Sequence, residues 1–61
     1  MSLVTKEEIK AEVMEIVQEL RIIRRRLLNL LDLIPNNRKK IDLRTIIQYI
    51  DWSIEGLEER F

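Results

Sequence analysis

Apolar residues recur at steps of four and three over the first half of the chain without a break. They are Ile9, Val13, Ile16, Leu20, Ile23, Leu27, Leu30 and Ile34. This spacing places all eight side chains on one side of an α-helix, and it is typical of helices that pack lengthwise against another helix. The pattern predicts one long amphipathic helix that has to bury this side against a neighbour.

The ends of this first helix are marked in the sequence. Thr5 and Glu8 have the spacing of a capping box, which stabilises a helix start. Pro35 disfavours helical geometry at the residue before it and cannot donate a backbone hydrogen bond. The first helix is therefore predicted over about residues 6–34.

A second apolar row with the same spacing predicts a second helix. Its members are Leu43, Ile47, Ile50, Ile54, Leu57 and Phe61. The three cations at residues 38–40 would be unfavourable at the positive N-terminal end of a helix dipole. We therefore expect Asp42 to cap this helix, which is predicted over about residues 43–61. The fold class is all-α, an antiparallel two-helix hairpin that forms a single domain over residues 1–61.

Oligomerisation is the expected source of additional stability. A chain of 61 residues buries only ~60% of its unfolded surface, and the absence of Cys and His removes disulfides and the usual zinc sites. The unequal predicted lengths leave the start of the first helix beyond the end of the second, and further apolar residues flank the main row. The predicted oligomer interface comprises Ile9, Val13, Met14, Val17, Leu28 and Leu31. The simplest closure is a symmetric dimer that forms a four-helix bundle.

Charge is distributed unevenly, although the net charge is zero. The densest basic cluster, residues 21–26, is expected either to match acids of the second helix, with Asp51 level with Arg26 and Glu55 close to Arg21, or to bind phosphate groups. A second cluster surrounds the turn: Arg38, Lys39, Lys40 and Arg44. This second cluster is either a solvated, solubilising turn or a contact to a nucleic-acid backbone or an acidic partner.

An aromatic pair and the single glycine form a further candidate surface. Tyr49, Trp52 and Gly56 are spaced to share an outer face of the second helix, away from the hairpin core. Trp and Tyr are enriched at binding hot spots, and Gly permits close approach of another chain. This face is expected either to bind a protein partner or to pack in the oligomer.

The sequence predicts no catalytic site, cofactor site or metal site. Without His or Cys, the remaining titratable groups form no recognisable catalytic arrangement. No apolar stretch is long enough to span a membrane, and none resembles a signal peptide, so a cytoplasmic protein with no membrane or small-molecule partner is expected. The expected function is that of a non-enzymatic adaptor or assembly protein that forms a homodimer. The alternatives are a small nucleic-acid-binding regulator and an accessory subunit of a larger complex.

Overall fold

The chain forms two helices in the computed structural model, which describes residues 4–61. Helix α1 spans Lys6–Leu33 and helix α2 spans Asn37–Arg60. They are joined by three residues, and they pack against each other as an antiparallel pair. The all-α helical hairpin is therefore confirmed. It is a rod with extents of 50 × 17 × 16 Å.

The start and the end of α1 follow the prediction closely. Thr5 is the N-cap, and its Oγ1 accepts a hydrogen bond from the Glu8 backbone N–H at 3.1 Å. The Thr5 hydroxyl in turn donates a hydrogen bond to the Glu8 carboxylate at 3.3 Å. In a standard capping box this carboxylate would instead accept a hydrogen bond from the Thr5 backbone N–H. At the other end, Ile34 is extended, as a residue that precedes proline should be.

The start of α2 was predicted wrongly, because the helix begins at Asn37 and not near Leu43. Asn36 is the N-cap, and its Oδ1 accepts hydrogen bonds from the backbone N–H groups of Arg38 and Lys39, at 2.8 and 3.2 Å. A cap of this type is worth ~1 kcal/mol, whereas each exposed cation at a helix start costs only ~0.3–1 kcal/mol and is screened by salt. The prediction considered the dipole and omitted the cap.

The C-terminal end of α2 lies beside the start of α1, where the sequence predicted an overhang. Arg60 and Phe61 line one groove together with Ile9 and Lys10. The expectation that Phe61 would reach only the level of Ile16 is wrong.

The apolar row of α2 faces α1 as predicted, except at its last member. Leu43, Ile47 and Ile54 are buried, and Ile50 and Leu57 are half-buried. Phe61 is exposed, at the C-cap of α2. The prediction for Phe61 is therefore wrong, because it continued a helical spacing past the point at which the helix ends.

The side of α1 that faces α2 is rotated from the predicted one by one row of residues. The less exposed residues of α1 are Val13, Val17, Leu20, Arg24, Leu27 and Leu31, followed by Ile34 beyond the helix end. Val17 is completely buried, although the sequence assigned it to the flank. The predicted row contributes its alternate members Val13, Leu20, Leu27 and Ile34, and its other members point elsewhere.

Candidate interaction surfaces

One flank of the hairpin is closed by ion pairs between the helices. Arg21 contacts Glu58 at 3.1 Å, and Arg24 forms an ion pair with Asp51. The expected partners, Glu55 for Arg21 and Arg26 for Asp51, were wrong, because the side of α1 that faces α2 is rotated from the predicted one and brings Arg24, not Arg26, beside Asp51. We call these four residues the ionic flank. Their side chains are 40–52% exposed, so each pair contributes ~0.2–1 kcal/mol at most.

The opposite flank has apolar side chains where the first has charges. On α1 they recur every seven residues and are 38–45% exposed: Ile9, Ile16, Ile23 and Leu30. The contact of Arg21 with Glu58 shows that the flank of α1 with Arg21 and the flank of α2 with Glu58 lie side by side. By exclusion, Ile46 of α2 lies beside this α1 row, and the groove shared by Ile9 and Arg60 agrees with that placement. We call the α1 row together with Ile46 the open flank.

The six predicted interface residues do not form one surface. Val17 and Leu31 lie on the side of α1 that faces α2, so Val17 is unavailable to another chain. Ile9 belongs to the open flank, and Val13 lies next to it at the hairpin contact. Met14 and Leu28 lie on the other side, beside the ionic flank, where Leu28 lines a groove with Arg21, Arg24 and Asp51.

Tyr49, Trp52 and Gly56 are brought together as the spacing predicts. The two rings lie edge to face with their centroids 5.6 Å apart, and both side chains are exposed. A Cβ placed on Gly56 would meet no atom within 4 Å, so the space above this residue is open. These three residues form the aromatic surface, which shares a shallow groove with Ser53 and Arg60 and therefore borders the open flank.

The cations around the turn lie closer to a helix start than the sequence suggested. Arg38, Lys39 and Lys40 occupy the first turn of α2, which contains no acidic residue, and Arg44 follows one turn later. Their charges add to the positive end of the α2 dipole. We call these four residues the basic turn.

Folding back of the chain separates charge along the rod. The segment around the turn, residues 21–49, has eight Lys or Arg against two Asp, a net charge of +6. Residues 1–20 and 50–61 together have three Lys or Arg against nine acids, a net charge of −6. Positive charge is therefore concentrated towards the turn and negative charge towards the opposite end, and the ion pairs of Arg21 with Glu58 and of Arg24 with Asp51 lie where the two segments meet.

Within residues 4–61, no group of three His, Cys, Asp or Glu side chains is arranged to hold a metal ion. Neither described helix is both long enough and apolar enough to cross a bilayer.

Comparisons with known proteins identify no similar protein. No family model matches the chain, and no curated protein or solved structure matches it. The inferences on function therefore rest on the surfaces described above.

Proposed function

We propose that this protein is a non-enzymatic helical adaptor, which assembles with itself into a four-helix bundle and binds other proteins through the aromatic surface. The observation that supports this function is the open flank. Four apolar side chains at heptad spacing, all 38–45% exposed, form a continuous stripe that α2 covers only in part. Monomeric soluble proteins seldom expose a long contiguous apolar stripe without a binding role.

The dimensions of the rod agree with a dimer interface of ordinary size. One broad side, 50 Å by 17 Å, covers roughly 850 Å². A standard protein–protein interface uses ~800 Å² on each partner. The radius of gyration is 15.2 Å, whereas a compact domain of this length would have a value of ~10.5 Å. Packing a second hairpin on the open flank thickens the rod to the proportions of a four-helix bundle.

The aromatic surface supports the binding of a further protein. Tyr49 and Trp52 are large side chains held in a fixed mutual arrangement, and they lie beside the open space at Gly56. Aromatic side chains next to a backbone that can be approached closely are favourable anchors for a protein partner. This surface borders the open flank, so self-assembly and partner binding are expected to be neighbouring events.

Sedimentation equilibrium of the wild-type protein tests the self-assembly. We expect a mass of twice 7.4 kDa at concentrations of tens of micromolar, with dissociation only well below ~1 μM if the interface is of standard quality. A mass of 7.4 kDa over the whole concentration range, with helical circular dichroism retained, would contradict the proposal.

The basic turn supports a second candidate function, a small nucleic-acid-binding regulator. The observation in its favour is the early start of α2, which adds a helix dipole to the charges of Arg38, Lys39 and Lys40. A solvated turn with no ligand is the alternative explanation for the same cluster. Phosphate contacts would make the affinity fall steeply with salt, and a solvated turn would bind nothing.

Titration with single-stranded and double-stranded nucleic acid at two or more salt concentrations distinguishes these two explanations. If the turn binds duplex DNA, the double variant Arg38→Gln/Lys39→Gln should lower the slope of log affinity against log salt by about two. The matched control is Lys6→Gln/Lys10→Gln, which removes two cations from the other end of the rod and should leave the slope unchanged. Absence of salt-dependent binding would exclude this function.

An accessory subunit of a larger complex is the third candidate. An overhanging start of α1 would offer such a subunit a docking site, but Arg60 and Phe61 of the second helix lie beside that start. An accessory subunit would therefore have to dock through the open flank or the aromatic surface. Poor folding of the isolated chain would favour this candidate over self-assembly.

A further inference from the structure

We propose that the second copy packs on the open flank with its turn at the opposite end of the rod, so that α1 lies antiparallel on α1 of the partner. This inference rests on the proposed self-assembly and specifies the partner and its orientation. Two hairpins that stack face to face can be related by a twofold axis in two orientations. An axis across the rod places α1 on the partner's α1 with the turns apart, and an axis along the rod places α1 on the partner's α2 with the turns together.

The distribution of apolar residues favours the arrangement with the turns apart. In it, the α1 row of the open flank meets a second copy of itself. Ile9 then lies opposite the partner's Leu30, and Ile16 lies opposite the partner's Ile23, since both pairs of residue numbers have the same sum. Every contact along this row joins two large apolar side chains, which is the condition for burial to be favourable.

With the turns together, the α1 row would instead contact the partner's α2, on the side that contains Ile46. The residues at heptad spacing on that side of α2 are Lys39, Ile46, Ser53 and Arg60, so only one of the four is large and apolar. Half-exposed isoleucine and leucine side chains would then cover a lysine, a serine and an arginine. Such an interface would desolvate polar groups without pairing them, which costs free energy.

Charge favours the same arrangement independently. The midpoint of the α1 row lies between Glu19 and Leu20, and the net charge of α1 changes sign there: residues 6–19 carry a net charge of −3 and residues 20–33 carry +3. With the turns apart, the acidic half of α1 lies over the basic half of the partner's α1. With the turns together, the basic turns of the two copies would lie side by side and repel across distances comparable to the ~8–10 Å Debye length.

Distances between spin labels distinguish the two arrangements. The chain contains no cysteine, so a single label can be attached through Asn37→Cys at the turn or Gln18→Cys near the middle of α1. At ~1.5 Å per residue and ~10 Å between helices, the proposed dimer separates the two turn labels by about 45–50 Å. With the turns together, the turn labels would lie within ~30 Å. The Gln18→Cys labels should lie within ~30 Å in either dimer.

The outcomes separate the orientation from the self-assembly. A long distance at Asn37→Cys together with a short one at Gln18→Cys supports the proposal. Short distances at both positions would overturn the orientation and leave the self-assembly in place. No distance between chains at either position, with a monomeric mass at the concentration of the measurement, would overturn both.

Discussion

Replacing Ile16 by aspartate should convert the proposed dimer into folded monomers, whereas the same replacement of Leu28 should leave that dimer intact. The two side chains make a matched pair, because they are 38% and 37% exposed in the hairpin and both are on α1. They lie on opposite flanks, since Ile16 belongs to the open flank and Leu28 lines the groove of the ionic flank. Any general effect of aspartate on helix stability should be similar in the two variants.

The expected effect is large because the dimer is symmetric. Each dimer would bury two carboxylates from Ile16→Asp against apolar side chains, and an unpaired buried charge costs several kcal/mol. Even ~3 kcal/mol in total would raise the dissociation constant by about 100-fold. Sedimentation velocity over a concentration series gives the constant, and far-UV circular dichroism checks the fold. Equal weakening of the dimer by both variants would show that the open flank is not the interface.

Truncation of Ile47 to alanine should cause a large loss of stability in the hairpin itself. Ile47 is 6% exposed and lies in the middle of the contact between α2 and α1. Removal of a buried isoleucine side chain costs ~2–5 kcal/mol, which for a domain of this size corresponds to a fall in Tm of at least ~10 °C. A total stability of only ~3–9 kcal/mol is typical for about 60 residues, so the variant could lose most of it.

Ile41→Ala provides the control for this loss. Ile41 is on the same helix but is 59% exposed, so its truncation should change the stability by no more than ~0.5 kcal/mol. Urea and thermal unfolding must be followed at one fixed protein concentration, because self-association adds to the apparent stability. Similar losses from both truncations would mean that α2 does not bury the side seen in the hairpin.

The sequence was sufficient for the elements whose signals are local. The cap at Thr5, the stop before Pro35 and the apolar row from Leu43 to Leu57 each depend on a few neighbouring residues, and the structure confirms them. The start of α2 also has a local signal, the Asn36 side chain, but it competed with an unfavourable charge pattern. The two effects are of similar size, so a rule based on charge alone gave the wrong boundary.

The side of α1 that faces α2 could not be determined from its own residues. Three adjacent rows of α1 are largely apolar, and only two of them can face one neighbouring helix. The row of Val17, Arg24 and Leu31 contains a charged residue, which made it a less favourable choice for the side that faces α2. Asp51 of α2, however, lies where it can form an ion pair with Arg24. The heptad spacing of Arg44, Asp51 and Glu58 on α2 was the available signal for a charged flank beside Arg24.

The error in the orientation of α1 also changed the assignment of the surfaces. The predicted ion pairs fell on the wrong residues, and Val17 and Leu31 were assigned to a flank. With the observed side of α1 facing α2, the ionic flank and the open flank follow from one rotation of α1. The aromatic surface was placed correctly, because Tyr49, Trp52 and Gly56 lie on one helix and their relation depends only on its period.

Pro35 has a consequence for the topology of any assembly. Two long helices joined by three residues could in principle straighten into one continuous helix and exchange their halves with another chain, which is domain swapping. A proline in a helix interior costs ~3 kcal/mol, and the extended geometry of Ile34 before it opposes straightening further. Each chain therefore closes on itself as a hairpin. In the proposed assembly the unit that associates is this complete hairpin, so partners would exchange without either chain unfolding.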